Sequence, residues 1–291
     1  MFYFFKPTSI FHLQTYKNEC KTYTEVSGDT LKLLFTDEKY YFYNFNYNRH
    51  MKILGIIPSR YASTRFPGKP LVEIKGKSMI QRVYEQAKKA TCLSDVIIAT
   101  DDERIYNHAQ ALNFKVVYTD TVHQSGTDRC AEVLNKLDAD YDVVINVQGD
   151  EPYINPEQID EVGSCFEDLK TDIATLGKKI TKQEELFNIN KPKVIKSVDD
   201  FALYFSRQTL PFLRGVEEKG WLNHQTFFKH IGIYGYRAEV LKAITQLPMS
   251  SLEKAEGLEQ LRWLENGYKI KVKETFHEAI SIDVPEDLNL I

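Results

Sequence analysis

From residue 52 onward the chain alternates short apolar runs with stretches whose apolar residues recur every three or four positions. Ile53-Leu54-Gly55-Ile56-Ile57-Pro58 is a β-branched run closed by proline, and predicts a buried parallel strand. Residues 78–90 put Met79, Ile80, Val83 and Ala87 at helical spacing, with Ser78 suited to cap the helix. Val96-Ile97-Ile98-Ala99-Thr100 predicts a second strand, 102–112 a second helix and Lys115-Val116-Val117-Tyr118 a short third strand. A helix over 127–137 leads into Val143-Val144-Ile145-Asn146-Val147, the most strongly buried strand of the series. Strands alternating with helices of this length are βαβ units, so we expect an α/β fold with a Rossmann-like, mostly parallel sheet and helices on both faces.

The pattern changes near residue 190. Val194-Ile195-Lys196-Ser197-Val198 and Ala202-Leu203-Tyr204-Phe205-Ser206 flank Asp199-Asp200 as a hairpin, and 227–236 adds a strand. Residues 190–235 therefore predict a small β-rich insert, expected as a separate layer that forms a lid or a dimer surface. Beyond it come a helix over 251–266, a strand over 269–274 and a terminal helix opened by Pro285. Leu252, Ala255, Leu258 and Leu261 read as the buried face of that penultimate helix.

Residues 1–50 stand apart. They hold seven of the 17 Phe and seven of the 17 Tyr, and Met51-Lys52 then opens a clean strand. The expected division is an N-terminal extension, 1–50, outside the catalytic fold, and a domain over 51–291 with Met51 as the functional start. The opening residues lack the features of a signal peptide.

Bulk chemistry narrows the function. The 291 residues carry a net charge of −4, which gives no overall basic bias toward nucleic acid or an anionic membrane surface. No apolar run approaches the ~18 residues that span a bilayer. Cys20, Cys92, Cys130 and Cys165 are scattered without metal-ligand spacing, and read as reduced thiols of a cytoplasmic protein.

Ligands of open α/β sheets sit beyond the carboxyl ends of the strands, a rule that puts Ser59–Lys69, Asp101–Asp102 and Gln148–Glu151 around one crevice. The loop Pro58-Ser59-Arg60-Tyr61-Ala62-Ser63-Thr64-Arg65-Phe66-Pro67-Gly68-Lys69-Pro70 combines fixed positive charge with a glycine, as a polyphosphate site requires; a solvated basic loop is the alternative. It matches neither GxxxxGK[ST] nor GxGxxG. Gln148-Gly149-Asp150-Glu151-Pro152 places a carboxylate at the end of the most buried strand, and Asp283 ends a second apolar run. Both suit a hard divalent cation, and both suit helix caps or turns equally well. His123-Gln124-Ser125-Gly126-Thr127-Asp128-Arg129 is a turn feeding a helix, either an anion or base-edge contact or an ordinary cap. His123, His230 and His277 read as surface or structural histidines.

In order along the chain, these segments resemble the CMP-Kdo synthetases, the 3-deoxy-manno-octulosonate (Kdo) cytidylyltransferases. The likeness is carried by the loop from Ile57 to Leu71, by Ala99-Thr100-Asp101-Asp102, by His123 to Arg129 and by Asn146 to Pro152. It continues through Ala202 to Arg214, Lys229-His230-Ile231-Gly232-Ile233-Tyr234-Gly235-Tyr236-Arg237, Leu258-Glu259-Gln260-Leu261-Arg262 and Ile282 to Leu288. Ser59 and Val284 depart from the family's usual alanine and threonine.

The resemblance implies a fold of the nucleotide-diphospho-sugar transferase type and transfer of CMP from CTP to Kdo for lipopolysaccharide biosynthesis. It implies that Arg60 and Lys69 hold the triphosphate, and that Ser59, Ser125, Gly126, Thr127, Arg129 and Gln148 contribute to the nucleotide pocket. By the same likeness Asp150 and Asp283 bind Mg2+, and Arg214, His230, Tyr234, Glu259 and Gln260 meet the sugar acid. A cytoplasmic homodimer without nucleic-acid partners or membrane insertion is implied as well. The alternatives are a cytidylyltransferase for another acidic sugar such as sialic acid, or a nucleotide-binding relative without catalysis.

Overall fold

The structure, a computed structural model, describes residues 21–26, 29–36, 39–45, 51–62, 65–123, 125–137, 139–278 and 280–290. The chain divides into two compact units, Met1–Met51 and Lys52–Ile291. In the first, β1 (Lys21–Val26), β2 (Asp29–Thr36) and β3 (Lys39–Phe45) pair antiparallel in the order β1-β2-β3. These strands were not anticipated, although most of the aromatic run 40–47 falls within β3.

The second unit begins with β4 (Ile53–Ser59), the short ribbon β5 (Glu73–Ile74) and β6 (Lys77–Ser78), and α1 (Met79–Ala87). Next come β7 (Leu93–Thr100), α2 (Glu103–Ala111), β8 (Val116–Tyr118), α3 (Gly126–Lys136) and β9 (Val143–Asn146). Each helix starts where a side chain replaces the missing backbone acceptor: Ser78, Asp102 and Ser125 cap α1, α2 and α3. The second half comprises α4 (Pro156–Ser164), β10 (Ile173–Lys179), α5 (Gln183–Leu186), β11 (Lys193–Lys196), β12 (Ala202–Ser206) and α6 (Trp221–His224). Then follow β13 (Phe228–Arg237), α7 (Ala238–Ile244), α8 (Ser251–Glu256), α9 (Gln260–Glu265) and β14 (Ile270–Glu274).

Parallel pairing runs β9-β4-β7-β8. The chain moves outward from β4 to β7 and β8, then returns through α3 to place β9 on the other side of β4. The order thus reverses between β4 and β9, which opens a crevice beyond their carboxyl ends. Leu54 and Ile56 of β4 share a core cluster with Cys130, Val133 and Leu134 of α3 and with Leu241 of α7. The alternate residue Ile53 approaches Gly163 of α4, so the two helical layers lie on opposite faces.

The segment 190–235 is not a separate layer. β13 pairs antiparallel with β9 and β10, β11 joins the start of β13, and β12 pairs with β11, all in one nine-stranded sheet. β14 runs parallel to β10 and meets the β11–β12 hairpin through a bridge between Phe201 and Lys271. Ten residues long, β13 can serve β11 at its start and β9 at its end, which is how the hairpin becomes continuous with the main sheet.

Other boundaries differ for local reasons. The helix expected over 251–266 breaks at Gly257 (φ 62°), whose N–H closes α8 onto Glu253 O before α9 begins. The terminal element is a 3-10 helix, Pro285–Leu290. α4 and β10 were unforeseen; Asn155 forms a capping box with Gln158 ahead of α4, a readable signal.

Candidate active site at the β4–β9 crevice

β4 delivers Ser59 and Arg60 to the crevice, and the chain returns to it at Lys69. The return depends on Gly68, whose backbone is left-handed (φ 73°) and whose N–H donates to Tyr61 O at 2.9 Å. Pro70 then opens a 3-10 turn that fixes Lys69 beside the end of β9. Lys69 Nζ donates to Asp150 Oδ2 at 2.8 Å and lies 3.8 Å from Asp283 Oδ1. Arg65 Nη2 reaches Asp283 Oδ1 at 3.1 Å. Arg60 is exposed and makes no hydrogen bond or ion pair among the described residues, so its charge is free for a ligand.

Two acids from distant segments meet here for identifiable reasons. Ile282, fully buried with Ile74 and Met79, donates its N–H to Asp150 O at 2.9 Å and so places Asp283 beside Asp150. Asp287 accepts from the N–H groups of Val284 (3.0 Å) and Asp283 (2.7 Å), which hold its carboxyl below the ordinary range and shape the turn. Gly149 is required by closeness: a Cβ there would stand 2.6 Å from Pro58 O. Glu151 is buried, and its carboxyl is pushed up to about 8, chiefly by desolvation and then by the charge of Asp150.

No group of three or more His, Cys, Asp or Glu side chains converges as a metal cluster among the described residues. The pair Asp150–Asp283 nonetheless fits Mg2+, which takes one or two carboxylates and completes its shell with water and substrate phosphates. Both acids already face a cation, Lys69, so the site is built to hold positive charge between them.

The other wall of the crevice is made by α3 and the turn after β9. Ser125 caps α3 in a capping box with Asp128, and Gly126 packs against Pro58 and Asn146. Gln148 donates from Nε2 to Gly232 O at 2.8 Å, tying the turn to β13. Ser59, Arg60, Lys69, Ser125, Gly126, Arg129, Gln148, Asp150 and Asp283 all line one cleft of about 810 Å³, counting its open mouth. Nine of the residues expected from the sequence are therefore gathered in one place. Arg65, Asn146 and Gly149 also line it, and had been quoted in the motifs without a role.

Two of these side chains have distinctive surroundings. Arg129 is 1% exposed, donates to Thr119 Oγ1 (2.7 Å) and Asp120 O (3.3 Å), and pairs with Asp101. Its fork is thus engaged within the protein. Ser59 is buried with its hydroxyl unpartnered, although it lines the cleft.

The residues expected for the sugar acid lie in the second half of the unit, none of them among those lining this cleft. His230 and Tyr234 share β13 with their ring centroids 5.2 Å apart. Thr175 Oγ1 lies 3.0 Å from His230 Nε2, and burial pushes the imidazole down to about 3, keeping it neutral. The Tyr234 hydroxyl is buried without a partner, and burial raises its pKa. Glu259 accepts from Thr127 Oγ1 at 3.0 Å, a link between α9 and the start of α3, and desolvation raises its carboxyl. Gln260 is buried at the first turn of α9, whereas Arg214 is exposed, with no hydrogen bond or ion pair to the other four.

A cytidylyltransferase family profile matches residues 54–271. Over 242 residues the chain is 57% identical to the 3-deoxy-manno-octulosonate cytidylyltransferase of Parabacteroides distasonis, spanning 82% of this chain and 96% of that protein. The chain belongs to the 3-deoxy-manno-octulosonate cytidylyltransferase family. The Bacteroides thetaiotaomicron member is 57% identical over 241 residues, covering 82% of this chain and 96% of its own length. Among solved structures, CMP:2-keto-3-deoxy-manno-octonic acid synthetase complexed with CTP superimposes with a TM-score of 0.76 at 39% identity, over 82% of this chain and 96% of that one. The 4-diphosphocytidyl-2C-methyl-D-erythritol synthase of Anaerococcus prevotii, at 14% identity and a TM-score of 0.54 over 83% of this chain and 94% of its own, shares the fold with this family. In the helices of the described residues, no segment is long and apolar enough to cross a membrane.

Proposed function

We propose that this chain transfers CMP from CTP to 3-deoxy-manno-octulosonate, giving CMP-Kdo and pyrophosphate. The observation that carries the reading is the meeting of Lys69 with Asp150 and Asp283 at the crevice between β4 and β9, within a chain of this family. Arg60 and Lys69 bind the triphosphate and neutralise charge on the departing pyrophosphate. Asp150 and Asp283 would hold Mg2+, which would supply further positive charge against the phosphates. Ser59, Ser125, Gly126, Thr127, Arg129 and Gln148 shape the nucleotide side, Thr127 and Arg129 by supporting its wall.

The anomeric hydroxyl of Kdo attacks the α-phosphorus in line. A P–O bond forms to the sugar, the α–β bridging P–O bond breaks, pyrophosphate leaves with the electron pair, and the hydroxyl proton passes to solvent. Positioning and charge neutralisation supply the rate, with no protein nucleophile. Arg214 offers a two-pronged donor to the sugar carboxylate, while neutral His230, Tyr234, Glu259 and Gln260 contact its hydroxyl groups. The activity resides in residues 51–291, and the enzyme works as a cytoplasmic homodimer that activates Kdo for lipopolysaccharide assembly.

Pyrophosphate release with a panel of sugars and nucleotides, with and without Mg2+, tests the assignment. Turnover of CTP with Kdo is expected, and so is its retention in a chain beginning at Met51. Turnover of a different pair, with none of CTP and Kdo, would overturn it.

A further inference from the structure

We propose that Tyr61 and Arg104 are positioning residues for the triphosphate, acting through the loop that carries Arg60 and Lys69. The proposal rests on the reading that this loop binds CTP. Arg60 and Lys69 occupy the two ends of the loop, and each has one member of a contacting pair as its neighbour: Tyr61 follows Arg60, and Gly68 precedes Lys69. The Gly68 N–H donates to Tyr61 O at 2.9 Å. The Tyr61 ring also lies against Gly68, since a Cβ built there would stand 3.1 Å from Tyr61 Oη and 3.2 Å from its Cζ. Tyr61 thus closes the neck of the loop through both its backbone and its ring.

Arg104 stacks on that ring. Its guanidinium carbon lies 3.2 Å from the Tyr61 ring centroid, a stacked cation–π contact. The guanidinium is itself held as a fork: Nε donates to Asp102 Oδ1 at 2.9 Å and Nη2 to Asp102 Oδ2 at 2.6 Å. Asp102 caps α2 and accepts from the Arg104 N–H at 3.0 Å. A chain of contacts therefore runs from the start of a helix, through Asp102, Arg104 and Tyr61, to the neck of the loop. Neither Tyr61 nor Arg104 lines the cleft, so their effect on the triphosphate passes through Arg60 and Lys69.

The physical role is preorganisation. A loop held in one conformation before the ligand arrives loses less freedom on binding, and keeps two charges at one spacing for the phosphates. Without the ring, Gly68 is free to adopt other backbone conformations, and the spacing between Arg60 and Lys69 is no longer set.

The test compares Tyr61→Phe, Tyr61→Ala and Arg104→Gln with the parent, measuring CTP affinity by calorimetry, the KM values for CTP and Kdo, and thermal unfolding. Tyr61→Ala and Arg104→Gln are expected to weaken CTP binding about fivefold, with the KM for Kdo and the Tm close to parental. Tyr61→Phe keeps the stacked ring and is expected to bind CTP as the parent does. Parental CTP affinity in both Tyr61→Ala and Arg104→Gln would overturn the proposal, as would equal losses for CTP and Kdo, or a lowered Tm with CTP affinity unchanged. Because CTP binding is read without Kdo, a wrong acceptor sugar would leave this outcome legible and would sink only the reaction.

Discussion

Lys69 Nζ lies 2.8 Å from Asp150 Oδ2 and 3.8 Å from Asp283 Oδ1, so a single ammonium faces two carboxylates carried by segments far apart in the chain. Two partly buried acids this close repel unless a cation stands between them, and the sheet end supplies one from the facing loop.

Asp150→Asn keeps the size of the side chain and removes its charge. Its kcat is expected to fall by an amount equivalent to several kcal/mol of transition-state stabilisation, with the far-UV circular dichroism of the parent. Chelating Mg2+ should stop pyrophosphate release in the parent, and adding it back should restore the rate. A variant with near-normal kcat would take Asp150 out of the metal role.

Arg129 tests a strut rather than a ligand contact. It is 1% exposed and its partner Asp101 is mostly buried, so Arg129→Met leaves an acid without its counter-charge. A loss of about 3 kcal/mol in urea unfolding is expected. Stability equal to the parent would show that water or another group replaces the guanidinium.

Most of the sheet was legible because its strands are short β-branched runs bounded by helices with capping residues. Ile53 to Pro58 and Val143 to Val147 needed only their apolar continuity. The β11–β12 hairpin was readable as a hairpin, but its place in the main sheet was not. That place depends on β13, whose ten residues pair with different strands at each end. Local sequence carries no record of such long-range pairing. For the site, the basic loop ending at Lys69 and the acids Asp150 and Asp283 stood out beside apolar runs, their roles came from the family resemblance, and the structure brings Lys69 to both acids. Arg129 shows the limit: its motif marks it as a nucleotide residue, and only the packed structure shows its donors turned to Asp101 and Thr119.

Gly149→Ala probes how tightly the turn after β9 is seated on β4. The new Cβ would meet Pro58 O at 2.6 Å and Ser59 Oγ at 3.1 Å, and the nearer atom belongs to a strand at the centre of the sheet. The turn must therefore shift, and Asp150 shifts with it. A stability loss of about 1–3 kcal/mol is expected, accompanied by a drop in kcat beyond what the unfolded fraction explains. Full activity in the folded variant would mean that the turn tolerates displacement.

His230 gives the protein a stability that depends on pH in a defined direction. Although its ring keeps some accessible surface, burial pushes its pKa down to about 3 from the ordinary 6.5. Between those values the unfolded chain binds a proton that the folded chain does not, so stability rises with pH across the interval. The contribution is fully present above about 6.5 and is lost as the pH falls below it; at pH 5.5 the loss from this group is about 1.4 kcal/mol. His230→Gln removes the titration. Urea unfolding at pH 7.5 and 5.5 should therefore show a larger fall for the parent than for the variant, by about that amount. Equal falls in the two proteins would mean that the imidazole takes up its proton in the folded state.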